Sequence, residues 1–483
     1  MLRRIFRTGL LILMAANCSY AQMSIKQAVG RALKVSNLLK SSELALEASK
    51  AKVNSAYGRL YPNISIDFFY TCLNDEIVLD LDPIRSVMIE LQSGNAAGFA
   101  NIENILKKGV PLSEQEQLMY KSIAAQQMDK KIPHFTETVK EKVFPQMMIS
   151  LNQPIFTGGK IIAGIKAAEL QEKIEERKSS AEIDDLSDEI VRLCLNYKLA
   201  KENTRIRRDV AEGLKKHLER ANRLFGEGLI PKNDRLRAEV AMTDAERNLF
   251  EASEKEKIAA AALSIMLDTA EESIDIEDSL IYKSRLLSLE DYIAAAKSGN
   301  SILQQAKLAE QALGQKENAK FAEYLPQVFA FGFYNVFDNY IADVEPKWGI
   351  GIGAHLTVFD GLRRTNEYQE ASLEKQSLLM KLKDAEKKIE LLVRSKFMEM
   401  NLAGEKYIKL DAAMEQTAEN LRLCEKRFGT GLGTTLEVID ARLALESVEI
   451  KRIQALTEYY ANMSSLSAVC GSMESFLNFI SEN

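Results

Sequence analysis
One short pattern, written twice, limits what this chain can fold into. Phe225-Gly226-Glu227-Gly228-Leu229 recurs 203 residues later as Phe428-Gly429-Thr430-Gly431-Leu432. Upstream of the second copy, Ala403, Tyr407, Leu410, Met414, Thr417, Leu421, Cys424 and Phe428 alternate by four and three, the spacing that lets one helix lie along another. The glycines Gly429 and Gly431 supply the permissive backbone a reversal needs, and a second apolar-periodic run starts at Leu436. Each copy is therefore expected to be the tip of a helical hairpin, with Phe225, Gly226, Phe428 and Gly429 at the turns.

The same 203-residue offset pairs Phe156-Thr157-Gly158 with Phe359-Asp360-Gly361 without a gap. Farther upstream the offset becomes 264, pairing Leu60-Tyr61-Pro62 with Tyr324-Leu325-Pro326. The two offsets differ by 61 residues, which must be inserted in the first half between Pro62 and Phe156. The chain reads as a tandem duplication with one insertion at about 72–142. The first repeat is expected over 22–275 and the second over 276–483.

Within each repeat the periodicity changes in the same order. A helix is expected from Ser24 to about Gly58, and again from Ser288 to about Tyr324. Each stops at a Leu/Tyr-Pro step, because the residue before proline disfavours helix. Asn63 to Tyr70 then alternates with period two, apolar at Ile64, Ile66, Phe68 and Tyr70. The clearest strand runs from Trp348 to Val358, with Trp348, Ile350, Ile352, Ala354 and Leu356 on one face and glycine, His355 and Thr357 on the other. Such alternation, with an aromatic at one end, suits a membrane barrel whose outer face meets lipid. A buried sheet in a soluble sandwich is the other reading. Met147, Ile149 and Leu151 repeat the pattern; Phe329, Phe331 and Phe333 do so less cleanly, since Val328 and Val336 are apolar on the opposite face. Helices expected from about Lys160 to Phe225 and from Leu362 to Phe428 would each be on the order of 100 Å long, more than a compact domain holds. Return helices should run to about Asp268 and Ala468.

Bulk properties narrow the function. The formal net charge of -6 over 483 residues, with no concentrated basic stripe, argues against a nucleic-acid partner. Arg3, Arg4 and Arg7, the apolar core Gly9 to Ala16 and Ser19-Tyr20-Ala21 read as a signal peptide over 1–21. Cys18 lacks the residue setting expected of a lipoprotein signal. The remaining cysteines, Cys72, Cys194, Cys424 and Cys470, form no metal-ligand spacing, and Cys424 falls on the helical seam. His134, His217 and His355 are scattered, with no catalytic triplet and no phosphate loop, so neither enzyme chemistry nor a cofactor is expected.

Signal peptide, duplication, one strand pair per half and long hairpins with Phe-Gly-x-Gly-Leu tips together resemble the TolC-like outer membrane efflux proteins, over essentially the whole mature chain outside the insertion. The resemblance implies a mixed α/β membrane fold with long antiparallel α-helical hairpins and four β-strands per chain. Geometry agrees that several chains must share a barrel, since four strands cannot close one. The family implies a homotrimer whose twelve-stranded β-barrel sits in outer membrane lipid and whose helices form a periplasmic tunnel. It implies passive conduction, with an inner-membrane pump and a periplasmic adaptor as partners. On the same basis Gly228, Leu229, Gly431 and Leu432 are expected to dock the adaptor, and Glu437 and Asp440 to ring the periplasmic gate. The 203-residue offset sets Asp234 opposite Glu437 and Arg237 opposite Asp440, so Arg237 could latch the closed state. Ordinary charged helix termini are the plainer explanation of these acids. An exported coiled-coil interaction or structural protein without a pore is the rival class. Drug, protein and metal cargo are not separable in the sequence. The strand order places the insertion, with a helical piece from Ser113 to Met128, at the extracellular mouth.

Overall fold
Ser24 and Ser288, 264 residues apart, open the two repeats in the same way. Each hydroxyl accepts a hydrogen bond from the backbone N–H three residues on, and the side chains of Gln27 and Asp291 return the bond to the serine N–H. These capping boxes satisfy donors that a helix start leaves orphaned. In the computed structural model, which describes residues 21–271, 274–278, 280–284, 287–337 and 346–481, they start α1 (Ile25–Val35) and α7 (Leu289–Gly299). The expected signal segment, with Cys18, lies outside the described residues apart from Ala21.

Neither opening helix is continuous. α1 gives way at Ser36 to α2 (Asn37–Gly58), and α7 gives way at Asn300 to α8 (Ser301–Phe321). The single helices expected over 24–58 and 288–324 are thus each two. The cause is local: Ser36 Oγ accepts from Leu39 N–H at 3.3 Å and Asn300 Oδ1 from Leu303 N–H at 3.1 Å, so each polar side chain restarts the helix at an extended residue. The long helices match closely, α5 (Lys160–Gly226) and α9 (Arg363–Gly429) having 67 residues each. Their return partners are α6 (Lys232–Leu267) and α10 (Thr435–Val469).

Two compact units cut across the repeats. One comprises residues up to 56, 162–318 and 365 onward; the other comprises 57–161 and 319–364. The first is helical. Its core gathers Ile190, Cys194 and Leu195 of α5, Val393 and Met400 of α9, Tyr459 and Tyr460 of α10, and Ile25 and Val29 of α1. The buried tyrosines keep their hydroxyls satisfied by donating to Lys283 O at 2.9 Å and Ile281 O at 2.6 Å. A short parallel pair, β1 (Ala21–Met23) with β6 (Ile274–Ile276), and α11 (Met473–Ser481) close this core. The seam read from Ala403 to Phe428 is turned inward, with Ala403, Leu421 and Phe428 buried. Among the described residues no helix is long and apolar enough to cross a membrane.

The second unit holds a four-stranded antiparallel sheet in the order β2 (Asn63–Cys72), β5 (Val143–Phe156), β7 (Gln327–Asn335), β8 (Trp348–His355). Each repeat contributes two neighbouring strands, and β2 and β8 are left as edges. Leu356, expected on the strand, falls one residue past the end of β8. Between β2 and β5 the insertion forms a second ribbon, β3 (Ile77–Asp80) with β4 (Thr136–Lys140), and a helical pair, α3 (Asp82–Lys108) with α4 (Glu114–Lys131).

Candidate functional site: the strand face and the hairpin tips
Register settles which side chains share a face of the sheet. Ile64, Ile66 and Phe68 of β2 lie directly across from Leu151, Ile149 and Met147 of β5. Ile149 and Leu151 lie across from Tyr334 and Gly332 of β7, which in turn face Trp348 and Ile350 of β8. Because directly opposed residues point the same way, all four strands present one continuous apolar face. It is open to the surroundings: Ile350 is 82 % exposed. Among the described residues no second sheet of this unit is stacked on it; Trp348 and Ile352 on the same face are exposed as well.

The other face of β2 and β5 is mixed: Asn63, Ser65, Asp67, Gln146 and Asn152 make it mostly polar, with the Ser65 and Ser150 hydroxyls 2.7 Å apart, and Phe69, Phe144 and Met148 interrupt it. On β7 and β8 it is built differently. Phe329, Phe331 and Phe333 lie across from Gly353, Gly351 and Gly349, and a Cβ at Gly351 would come within 2.7 Å of the Phe331 ring. The glycines are there to receive the rings. This answers the ambiguity of β7, whose phenylalanines belong to the face opposite Trp348 while Val328 and Ala330 belong to the apolar one.

In the helical unit the two tips repeat to the hydrogen bond. Gly228 N–H donates to Phe225 O at 3.0 Å and Leu229 N–H to Leu224 O at 2.8 Å; Gly431 N–H donates to Phe428 O at 3.1 Å and Leu432 N–H to Arg427 O at 3.0 Å. Only the second glycine of each pair takes the left-handed backbone, Gly228 at φ +71 and Gly431 at φ +73. Gly226 and Gly429, expected to help make the reversal, instead finish their helices. At Gly429 the missing side chain admits the guanidinium of Arg220, 3.0 Å from where a Cβ would stand. Leu229 and Leu432 project at 68 % and 76 % exposure. The aromatic positions differ: Phe428 is buried against Leu421, Val438 and Ala441, whereas Phe225 is half-exposed beneath the Arg235 guanidinium, 5.8 Å from its centroid.

The acidic residues beyond the tips have distinct surroundings. Glu437 is part of a capping box: its N–H donates to Thr434 Oγ1 at 3.2 Å, and its Oε2 accepts from Thr434 N–H at 3.3 Å. Arg427 Nη1 stands 3.7 Å from the same oxygen. Asp440, one turn on, is exposed, as is Arg237 on α6. Among the described residues no ion pair within the chain joins Arg237 to Glu437 or Asp440. Arg237 instead borders a groove of about 650 Å³ between α6 and α10, walled by Leu236, Val240, Leu436, Ile439 and Leu443. At its side Arg207 of α5 bonds Glu446 of α10, whose carboxyl is pushed up by burial against the pull of that guanidinium. Sequence reasoning missed this pair because its members are 239 residues apart and lack counterparts at the repeat offset.

Chemistry is sparse. Among the described residues no His, Cys, Asp and Glu group could hold a metal ion. His134 bonds Asp82, His217 meets Phe428, and His355 Nε2 lies 3.2 Å from Thr357 Oγ1, so the three histidines remain apart. Cys194 is buried, and burial pushes its thiol up to about 12.

Comparison with known proteins agrees with this geometry. Residues 292–472 match the family model described as Outer membrane efflux protein. No curated protein sequence matches the chain. Among solved structures, the outer membrane protein VceC of Vibrio cholerae superposes with a TM-score of 0.69 at 15% identity, covering 92% of this chain and 96% of that one. The Neisseria gonorrhoeae MtrE outer membrane channel, in its open state, gives 0.67 at 14% identity, over 93% of this chain and 89% of that one. The Campylobacter jejuni CmeC outer membrane channel gives 0.66 at 13% identity, over 94% and 87%. With its family match in the second repeat and a fold shared along more than nine-tenths of its length, this chain is similar to the TolC-like outer membrane efflux proteins.

Proposed function
We propose that the chain is the exit duct of an efflux or secretion system, in which three copies pool their strands into one twelve-stranded barrel and their long helices into a periplasmic tunnel. The observation that carries this reading is the open sheet. Four strands share one lipid-compatible face, and among the described residues the edge strands β2 and β8 are each paired on one side only. In hydrocarbon such edges are costly, and closure by neighbouring copies removes them. Conduction is passive, with energy from an inner-membrane pump reached through a periplasmic adaptor.

The test is reconstitution of the purified full-length protein into a planar bilayer, with its mass measured in detergent. A trimer that conducts in discrete steps supports the duct. A well-folded monomer that stays in the aqueous phase and never conducts favours the pore-free coiled-coil protein instead.

We assign adaptor docking to Gly228, Leu229, Gly431 and Leu432 because both leucines are projected outward by the same turn geometry. Replacing Leu229 and Leu432 with glutamate is expected to abolish export and adaptor crosslinking while the trimer persists. Normal crosslinking in that variant removes the tips from the docking surface.

A further inference from the structure
The insertion carries an apolar stripe that its own partner helix does not cover. α3 meets α4 through its small and polar side: Ser93 and Ala97 are buried there, as is Arg85, whose guanidinium donates to Ile132 O at 3.0 Å and Asp129 O at 2.6 Å. Away from α4 the residues become larger and greasier. Ile84, Met88, Leu91, Asn95, Gly98 and Ile102 succeed one another at spacings of four, three, four, three and four, and all are exposed. Beside them Leu106 is 81 % exposed. This is an inverted arrangement, with the large apolar side chains turned away from α4.

The spacing identifies the kind of partner. Alternation of four and three averages the 3.5-residue period that keeps one helix seam against another along its length, and the exposed Val87, Phe99 and Ile105 widen the apolar face on either side of it. A single asparagine inside such a seam sets register between like helices, and Asn95 holds that position. The placement points to the same partner. Leu73 N–H bonds Lys142 O at 2.8 Å, so β3 and β4 prolong the β2–β5 hairpin, and α3 begins at the end of that ribbon. The ribbon is rooted in β2, an edge strand. In a barrel closed by copies of this chain, every β2 is an interchain junction, and each junction carries one α3, related to the others by the symmetry axis and pointing the same way.

We infer that α3 is an interchain seam: in the assembled channel the α3 helices of neighbouring copies pack on one another through the Ile84 to Ile102 stripe and form a helical collar on the strand ribbons. The inference rests on the shared-barrel reading above. It gives the insertion a task, holding copies together at a level beyond the barrel.

Crosslinking in the full-length chain tests it. In a Cys72→Ser background, which removes the exposed native thiol, Leu91→Cys is expected to form a chain-to-chain disulfide on mild oxidation. Met119→Cys, exposed on α4, is expected to stay uncrosslinked. Native mass is measured alongside. An intact oligomer without the Leu91→Cys link overturns the seam and leaves the shared barrel standing; a monomer overturns both. Equal crosslinking at the two positions, or labelling of Leu91→Cys by a bilayer-confined photoprobe, also overturns the seam, since random collision or lipid would then account for the stripe. Should Leu91→Cys not accumulate, Ile102→Cys is read in the same way.

Discussion

The imidazole of His217 on α5 lies against the ring of Phe428 at the end of α9, with centroids 4.6 Å apart and planes inclined at 48°. Its Nε2 is buried and has no hydrogen-bond partner among the described residues. Burial, and then the Arg442 guanidinium, hold its pKa down to about 4. The folded tip therefore keeps a neutral ring, while an unfolded chain binds a proton below about pH 6.5. Stability from this site is complete above about pH 6.5 and is lost as pH falls toward 4. Hydrogen exchange over residues 421–441, corrected for its intrinsic pH dependence, should speed up across that window. His217→Leu should flatten the response, and an unchanged profile in that variant would discard the assignment.

Leu362 holds a left-handed backbone, φ +65, where the first repeat has Gly159 at φ +91. A side chain in that region costs about 1 to 2 kcal/mol, offset in part by glycine's greater freedom when unfolded. Leu362→Gly is expected to stabilise the protein by about 1 kcal/mol, and Gly159→Leu to destabilise it by a similar amount. Thermal denaturation of the assembled protein measures both, and a loss of stability in Leu362→Gly would mean that its exposed side chain makes a needed contact between copies.

The two faces of the sheet should respond oppositely to charge. Ile350→Arg places a guanidinium on the apolar face and is expected to cost about 2 to 4 kcal/mol at the bilayer midplane. Asn152→Arg lies on the polar face, across from Phe331, and should insert normally. Heat-modifiable mobility of the membrane-inserted protein separates the outcomes; equal tolerance of the two substitutions would mean that lipid does not touch Ile350.

For the proposed gate, the capping box at Glu437 dictates the substitution to use. Alanine there would remove a helix cap as well as a charge, whereas Glu437→Gln keeps the bond to Thr434 N–H. Glu437→Gln with Asp440→Asn should weaken block of single-channel current by multivalent cations several-fold, because a ring of carboxylates would be neutralised. Arg237→Ala should raise the resting conductance if its partner acids belong to a neighbouring copy. Undiminished block in the double variant would take both acids out of the gate.

What the sequence disclosed was whatever repeats or alternates. Phe225 and Phe428 mark reversals at the right places because a helix end depends on a few neighbouring residues. Trp348 to His355 declares a strand because its two faces differ at every step. The breaks at Ser36 and Asn300 were hidden because serine and asparagine also sit quietly inside helices, and only the restarted hydrogen bonds reveal them. The facing of Phe331 with Gly351 was available in principle, as two period-two runs of large and absent side chains, but which run opposes which depends on register. The groove bordered by Arg237 and the Arg207–Glu446 pair join distant segments, so nothing local announces them.

The free edges of β2 and β8 bear on how the protein is made as well as what it is. If the proposed shared barrel is how these edges close, the single copy is unfinished, and maturation is a reaction of several molecules whose rate climbs with their concentration. Until that encounter, each copy carries two adhesive borders through an aqueous compartment, where mispairing competes with correct closure. Low expression should therefore impair this protein more than proportionally, and an isolated β2 peptide should act as a poison of assembly by occupying the border of β8.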